Sequence, residues 1–87
     1  MKVFVLTEQG QGGENNEVTL NVADVFSTKT AAKECLRERR GEIISFYESE
    51  YDGDYEISFD DPVLFSITCK SSCVWNELSI TEKDIKL

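Results

Sequence analysis

Residues 28–50 read TKTAAKECLRERRGEIISFYESE, and this stretch decides the fold. Its apolar side chains recur at steps of three and four residues, which is the spacing of one face of an amphipathic helix. The recurring positions are Ala32, Leu36, Ile43 and Tyr47, joined by Cys35, Phe46 and Glu50. The pattern predicts a helix from Thr28 to about Glu50, with Ser27 as the N-cap that accepts a backbone hydrogen bond of the first turn.

A second interpretation of the same stretch ends the helix at Gly41. Two arginines followed by a glycine are typical of a helix C-terminus. Residues 43–51 and 55–59 would then be strands joined by an Asp52-Gly53 turn, which is a recognised hairpin signal. We favour the long helix, because its apolar stripe continues in phase across Gly41 and one glycine costs only about 1 kcal/mol.

Four other segments have the features of β-strands. Residues 2–7 are β-branched and apolar, and residues 17–26 alternate until a break at Ala23-Asp24 that indicates a β-bulge. The polar and glycine-rich residues 8–16 between them predict a hairpin loop. Residues 63–70 and 73–80 alternate around a short turn and predict a second hairpin, which the tail ending at Leu87 can extend.

The predicted element order is ββαββ. We therefore expect an α+β fold with a four-stranded, mainly antiparallel sheet and one long helix packed on one face. The second face of the sheet would be partly exposed or covered by a second copy of the chain. At 87 residues the chain has room for one core, so residues 1–87 form a single domain.

The charge of the chain is concentrated in one segment. Its net charge is -8, and residues 48–61 contain seven carboxylates and no basic side chain. These acids are Glu48, Glu50, Asp52, Asp54, Glu56, Asp60 and Asp61. Such a field repels phosphate and anionic lipid and attracts basic surfaces, so direct binding to duplex nucleic acid is not expected.

Two interpretations of this acidic segment remain open. It can be a solvated loop that aids solubility, or a docking surface for a basic protein. An EF-hand is excluded, because an EF-hand loop starting at Asp52 would have Ile57 and Val63 where the loop needs glycine and glutamate.

The composition argues against catalysis and cofactor chemistry. Histidine is absent, which removes the commonest general base and the commonest zinc ligand. We therefore predict a protein that is not an enzyme and holds no cofactor or metal.

One face of the predicted helix carries cations at steps of three and four residues: Lys29, Lys33, Arg37 and Arg40. This face is either solvated or a contact for an anion.

The three cysteines form no strong metal signature. Cys69 and Cys73 flank a three-residue turn, so they form either a redox pair or two ordinary strand residues, and adding Cys35 would give a weakly supported three-thiolate metal site. An odd cysteine count favours a reducing compartment.

The opening run Lys2 to Thr7 is too short for a signal peptide or a membrane span, so we expect a cytoplasmic protein that does not enter a membrane.

Three short patterns resemble those of small phage and gut-bacterial proteins. The patterns are the opening strand at residues 2–7, the strand-to-helix junction Val25-Phe26-Ser27-Thr28-Lys29 followed by alanines, and the closing stretch from Ile80 to Ile85. The resemblance covers most of the chain and implies a ββαββ fold, a phage-like origin and no particular activity.

These observations predict a small acidic interaction protein that engages a basic protein surface. A DNA-mimicking inhibitor of a nucleic-acid enzyme is the most specific form of this hypothesis. Two alternatives remain: a module that binds a small molecule or nucleotide between helix and sheet, and a structural homodimer or larger homo-oligomer.

Overall fold

A computed structural model describes residues 1–12 and 17–86, except the side chains of Glu17, Val22 and Ala23. The elements are β1 (Lys2–Gly12), β2 (Glu17–Phe26), α1 (Lys29–Glu50), β3 (Tyr55–Asp61), β4 (Leu64–Cys69) and β5 (Trp75–Asp84). The strands form one sheet in the order β2-β1-β5-β4-β3, in which every neighbouring pair is antiparallel. The fold is therefore α+β.

The long helix is confirmed, with a correction to its first residue. α1 runs through Gly41 without interruption. Its N-cap is Thr28 rather than Ser27: the Thr28 Oγ1 atom accepts a hydrogen bond from the backbone N–H of Ala31 at 3.2 Å. Thr28 is the last residue with extended backbone angles, so its hydroxyl, and not that of Ser27, lies over the first turn.

The prediction of four strands is wrong, because residues 55–61 form an additional strand. β3 pairs with β4 and lies at one edge of the sheet. The Asp52-Gly53 turn exists, but it joins α1 to β3 instead of joining two strands. Both turn residues have positive φ, 52° and 75°, and the Asp54 N–H donates to the Tyr51 carbonyl at 2.8 Å. An edge strand tolerates carboxylates that a central strand would not, which is why an acidic segment can form β3.

The first hairpin is longer than predicted. β1 continues to Gly12, so the loop predicted for residues 8–16 is wrong for residues 8–12, and residues 13–16 lie outside the described part of the chain. β1 pairs with β2 on one side and β5 on the other, and this pairing outweighs its weak local preference. The predicted bulge is confirmed: Leu6 faces Asp24 and Thr7 faces Val22, which leaves Ala23 unpaired.

The core lies between α1 and one face of the sheet. The helix buries Ala32, Leu36, Ile43 and Tyr47, and the sheet contributes Leu6, Phe65, Ile67, Cys69 and Leu78. Tyr47 is fully buried, and its hydroxyl donates to Asn76 Oδ1 at 2.8 Å. Burial raises the pKa of Tyr47 to about 12, so the phenol stays neutral and keeps its role as a donor.

Within residues 1–12 and 17–86, no helix covers the opposite face of the sheet. The register places Val18, Leu20 and Val25 of β2 opposite Gln11, Gln9 and Val5 of β1, on the face that points away from Leu6 and the helix. These three side chains are exposed. Within the described residues, no helix combines the length and the apolar character that crossing a bilayer requires.

Replacing Gly41 with alanine should stabilise the protein. A Cβ at this position would meet nothing within 4 Å, and the residue lies in the interior of α1. Alanine is the better helix former, so the free energy of unfolding should rise by about 0.5–1 kcal/mol. Urea unfolding followed by far-UV circular dichroism measures this change.

Gly10→Ala is the matched control and should have the opposite effect. Its Cβ would lie 2.8 Å from Asn76 Nδ2 and 3.0 Å from the Trp75 carbonyl oxygen. Part of that obstacle is backbone, so we expect a loss of about 1–3 kcal/mol. A destabilising Gly41→Ala would contradict the continuous helix.

Candidate functional site

The acidic residues of the sequence divide into two groups in space. Glu48 and Glu50 lie in the last turns of α1, Asp52 and Asp54 in the turn that follows, and Glu56 at the start of β3. We call these five residues the acidic turn. Asp60 and Asp61 lie at the other end of β3, about 13 Å further along the strand. Five of the seven predicted site residues therefore belong to one segment of the chain, in which Glu56 points to the sheet face opposite that of Tyr55 and the helix.

Asp60 is bound to a cation of its own chain. Arg40 donates from Nε to Asp60 Oδ1 and from Nη2 to Asp60 Oδ2, both at 2.7 Å. These hydrogen bonds lower the pKa of Asp60 and raise the pKa of Arg40. The Arg40 guanidinium also lies 5.4 Å from the centre of the buried Phe65 ring. Asp60 therefore joins β3 to α1 and contributes little free charge.

Asp61 has a local structural role. Its Oδ1 atom accepts a hydrogen bond from the backbone N–H of Val63 at 3.1 Å, in the turn between β3 and β4. This is the usual way an aspartate stabilises a turn.

The acidic turn, in contrast, contains no ion pair. The five ion pairs formed among residues 1–12 and 17–86 involve other carboxylates. The last turn of α1 has no basic residue, so its carboxylates lie beside the negative end of the helix dipole. Among the described residues, no cation forms an ion pair with these carboxylates, although the backbone N–H of Lys70 donates to the Asp54 carbonyl at 3.0 Å and so places one lysine beside the turn.

Two contacts hold the acidic turn in a defined shape. The Tyr55 hydroxyl donates to Glu48 Oε1 at 2.7 Å, which raises the pKa of Tyr55. Gly53 lies directly beneath that carboxylate: a Cβ on it would come within 3.1 Å of Glu48 Oε2. The carboxylate of Glu48 is therefore fixed between β3 and the turn.

Aromatic rings border the acidic turn. The ring centres of Phe46 and Tyr51 are 6.0 Å apart with an interplanar angle of 80°, and Tyr47 and Tyr55 have a similar edge-to-face arrangement. Phe46 is half exposed, at 51%. An exposed aromatic ring beside unpaired carboxylates is a combination that suits a protein interface.

The basic series of α1 is only partly free. Arg40 is bound to Asp60, whereas Lys33 and Arg37 form no ion pair within the described chain. These two cations border a groove of about 500 Å³ between α1 and the β3–β4 turn. Its lining residues are Thr30, Lys33, Glu34, Leu36, Arg37, Arg40, Asp60, Asp61 and Pro62.

Arg39 has a role that the sequence did not indicate. Its guanidinium binds Glu8 of β1 and Glu42 of α1. Burial alone would lower the pKa of Arg39, but these hydrogen bonds raise it above its ordinary value. The Arg39–Glu8 and Arg40–Asp60 pairs join residues 31 and 20 positions apart, so only knowledge of the sheet order could have predicted them.

All three cysteines are free thiols. Cys69 is buried, Cys35 is half-buried and Cys73 is exposed. Burial acts to raise the pKa of Cys69, but hydrogen bonds with Ser71 and Ser72 outweigh it and leave the pKa below its ordinary value. The redox pair Cys69 and Cys73 remains a prediction. Among the residues that the structure describes, no three metal-ligating side chains come together.

Comparison with known proteins adds no relative. No family model matches the chain, and neither do the curated proteins or the solved structures. The resemblance to phage and gut-bacterial proteins therefore stays a prediction, and function has to be argued from the surface itself.

We predict that the Arg40–Asp60 ion pair stabilises the folded state at neutral pH and not at strongly acidic pH. Because the pKa of Asp60 is lowered in the folded state, its contribution is present above the unfolded pKa of 3.8 and is lost as pH falls through the lower folded value. Asp60→Asn should therefore reduce the free energy of unfolding at neutral pH by at most about 1 kcal/mol, since the pair is partly exposed. Urea titrations from pH 7 to pH 2 measure the difference, which should shrink in the acidic range.

Asp54→Asn provides the control, because the Asp54 side chain forms no ion pair among the described residues. It should not reproduce the loss at neutral pH. Equal losses from both variants would mean that the Arg40–Asp60 pair contributes nothing of its own.

Proposed function

We propose that the protein is a non-catalytic binding protein whose acidic turn engages a basic surface on another protein. The observation that carries the proposal is the set of four carboxylates in the last turns of α1 and the turn that follows, with Glu56 on the adjoining strand and no cation paired to any of them within the described chain. Like charges held together are unfavourable in isolation, and a cationic partner relieves that repulsion.

The surroundings of the acidic turn support a protein as the partner. Phe46 offers an exposed apolar ring beside the carboxylates, and aromatic side chains are enriched at the energetic centres of protein interfaces. The Tyr55–Glu48 hydrogen bond and the tight turn reduce the motion that binding would have to freeze. A basic surface with an adjacent apolar pocket has the complementary chemistry.

The most specific form of this proposal is an inhibitor that occupies the nucleic-acid site of its target. Surfaces that bind duplexes carry clustered lysine and arginine to neutralise phosphates. A small acidic domain can occupy such a surface in place of the duplex. Duplex DNA should then compete with the protein for the same partner.

Neutralising the acidic turn should abolish capture of that partner. We would immobilise the protein, pass a bacterial cell lysate over it and elute the bound proteins with increasing salt. The Glu50→Gln/Asp54→Asn variant would be treated in the same way for comparison. Charged contacts between exposed groups weaken with ionic strength, so captured partners should elute at moderate salt. The variant should retain at least tenfold less of them, which corresponds to about 1.4 kcal/mol.

The control is Glu34→Gln/Glu38→Gln, which removes the same charge from exposed positions in the first half of α1. It should capture partners like the unmodified protein. Retention that is insensitive to salt, or reduced equally in both variants, would argue against the acidic turn as the binding site. Release by added duplex DNA separates the inhibitor form from binding to other basic proteins.

The groove between α1 and the β3–β4 turn supports a second candidate function, a module that binds a small anionic ligand. Its volume of about 500 Å³ suits a nucleotide-sized molecule. Lys33 and Arg37 can contact an anionic group, and Leu36 and Pro62 offer apolar surface to the remainder of the ligand.

A thermal-shift screen with nucleoside mono-, di- and triphosphates tests this second candidate. A ligand at 100 times its Kd stabilises the folded state by about 2.7 kcal/mol, which gives a readily measured rise in Tm. Lys33→Ala/Arg37→Ala should remove the shift, whereas Lys29→Ala, outside the groove lining, should preserve it. No shift with any nucleotide would exclude this ligand class.

A further inference from the structure

The two edges of the sheet differ in how well they are protected from pairing. The β3 edge carries Glu56, Asp60 and Asp61 and is followed by Pro62, whereas a register irregularity is present in both edge strands. Charges, irregular pairing and proline are the usual means of preventing a further strand from adding to an edge. The β2 edge carries neither charge nor proline from Val18 to Ala23.

The side chains of β2 receive little cover from the rest of the fold. On the open face of the sheet, Val18, Leu20 and Val25 are 60%, 68% and 51% exposed. On the helix side, Thr19, Asn21 and Asp24 are exposed as well. The stretch from Val18 to Ala23, between Glu17 and Asp24, is an uncharged part of an edge strand that exposes the apolar side chains of Val18 and Leu20, and such a stretch is a template for pairing with another strand.

We infer that β2 is a self-association edge, on which the β2 strand of a second copy pairs antiparallel about a two-fold axis at Leu20. An antiparallel strand pair is self-complementary, which is the property that a two-fold interface needs. The resulting sheet would be continuous through both copies, with both helices on the same side.

The charge distribution restricts where a second copy can contact this chain. Two chains of net charge -8 repel each other, so close contact is least unfavourable where carboxylates are missing. The segment from Val18 to Ala23 is such a region, and it lies at the opposite edge of the sheet from β3.

The apolar pattern selects the register. With the axis at Leu20, this residue faces its counterpart, and Val18 of each copy faces Val22 of the other. The polar positions Thr19 and Asn21 then face each other on the helix side. A shift by two positions that brings Asn21 onto the axis would set Val18 against Asp24. A one-residue shift would turn the two helices to opposite sides.

Sedimentation equilibrium of the whole chain tests the association. The apparent mass should rise from 9.9 kDa toward twice that value with increasing concentration. Added salt should strengthen the dimer, because it screens the repulsion between two acidic chains. Binding through the acidic turn has the opposite salt dependence, so the two proposals can fail independently. A monomer at every concentration up to about 1 mM would overturn the inference.

Leu20→Lys should weaken the dimer at least about tenfold, because it places like charges directly opposite each other at the axis. The matched control is Phe59→Lys. Phe59 is also an apolar residue on an edge strand, opposite Ser66, and is 57% exposed. Its variant should dimerise like the unmodified chain. A dimer that survives Leu20→Lys but is lost with Phe59→Lys would assign the interface to β3 instead.

Disulfide trapping tests the position of the two-fold axis, and it does not depend on how stable the dimer is, because the covalent bond captures the dimer. In a Cys73→Ser background, Leu20→Cys places two thiols opposite each other, within the Cα separation of 4.4–6.8 Å that a disulfide spans. Mild oxidation should give a covalent dimer. Val18→Cys in the same background places its two thiols about 14 Å apart and should not cross-link. Cross-linking through position 18 and not through position 20 would overturn the proposed register.

Discussion

One helix has to cover five strands, and the rest of the surface follows from this constraint. Strands in a sheet lie about 4.8 Å apart, so five of them span about 19 Å, whereas a helix with its side chains is only about 10–12 Å wide. α1 packs its buried stripe, Leu36, Ile43 and Tyr47, against the middle of the sheet. The two edge strands are left partly bare, and the molecule stabilises each in a different way.

The β3 edge is tied to the helix by charge, and the β2 edge is not tied to it in the same way. Arg40 binds Asp60 and lies over Phe65, so polar contacts add to the apolar packing of Tyr55 and Ile57 against the core. Arg39 makes a comparable connection to β1 through Glu8. β2 is held by its hydrogen bonds to β1 and by Phe26, which packs against the core at the end of the strand. The groove beside β3 and the exposed valines and leucine of β2 both result from this incomplete cover.

Periodicity predicted the parts of the fold that depend on local sequence. The apolar stripe across Gly41 located α1, and the interrupted alternation at Ala23 located the bulge. Periodicity could not predict which strands pair when they are far apart in the sequence. β3 is a short strand rich in carboxylates, and only its position at a sheet edge makes it stable. β1 includes polar residues and glycines because it is held on both sides.

The sequence predicted which residues belong to the candidate site but not how they are arranged in space. The seven acids were evident from the sequence, yet their division depends on where the chain turns. Asp60 meets an arginine 20 residues away, while the carboxylates around Gly53 meet none among the described residues. The hydrogen bond from Tyr55 to Glu48 likewise depends on the chain turning back at Asp52-Gly53. The sequence indicated this turn, but as the connection between two strands and not between a helix and a strand.

The charge order along α1 has a kinetic consequence. Its arginines and lysines lie mainly in the first half and the acidic turn begins in its last turns, so side-chain charges and peptide dipoles point the same way. The two contributions add to an electric moment along α1. In the field of a cationic macromolecule such a particle experiences a torque. It would rotate during its approach, so that diffusion presents the end near Gly53 first.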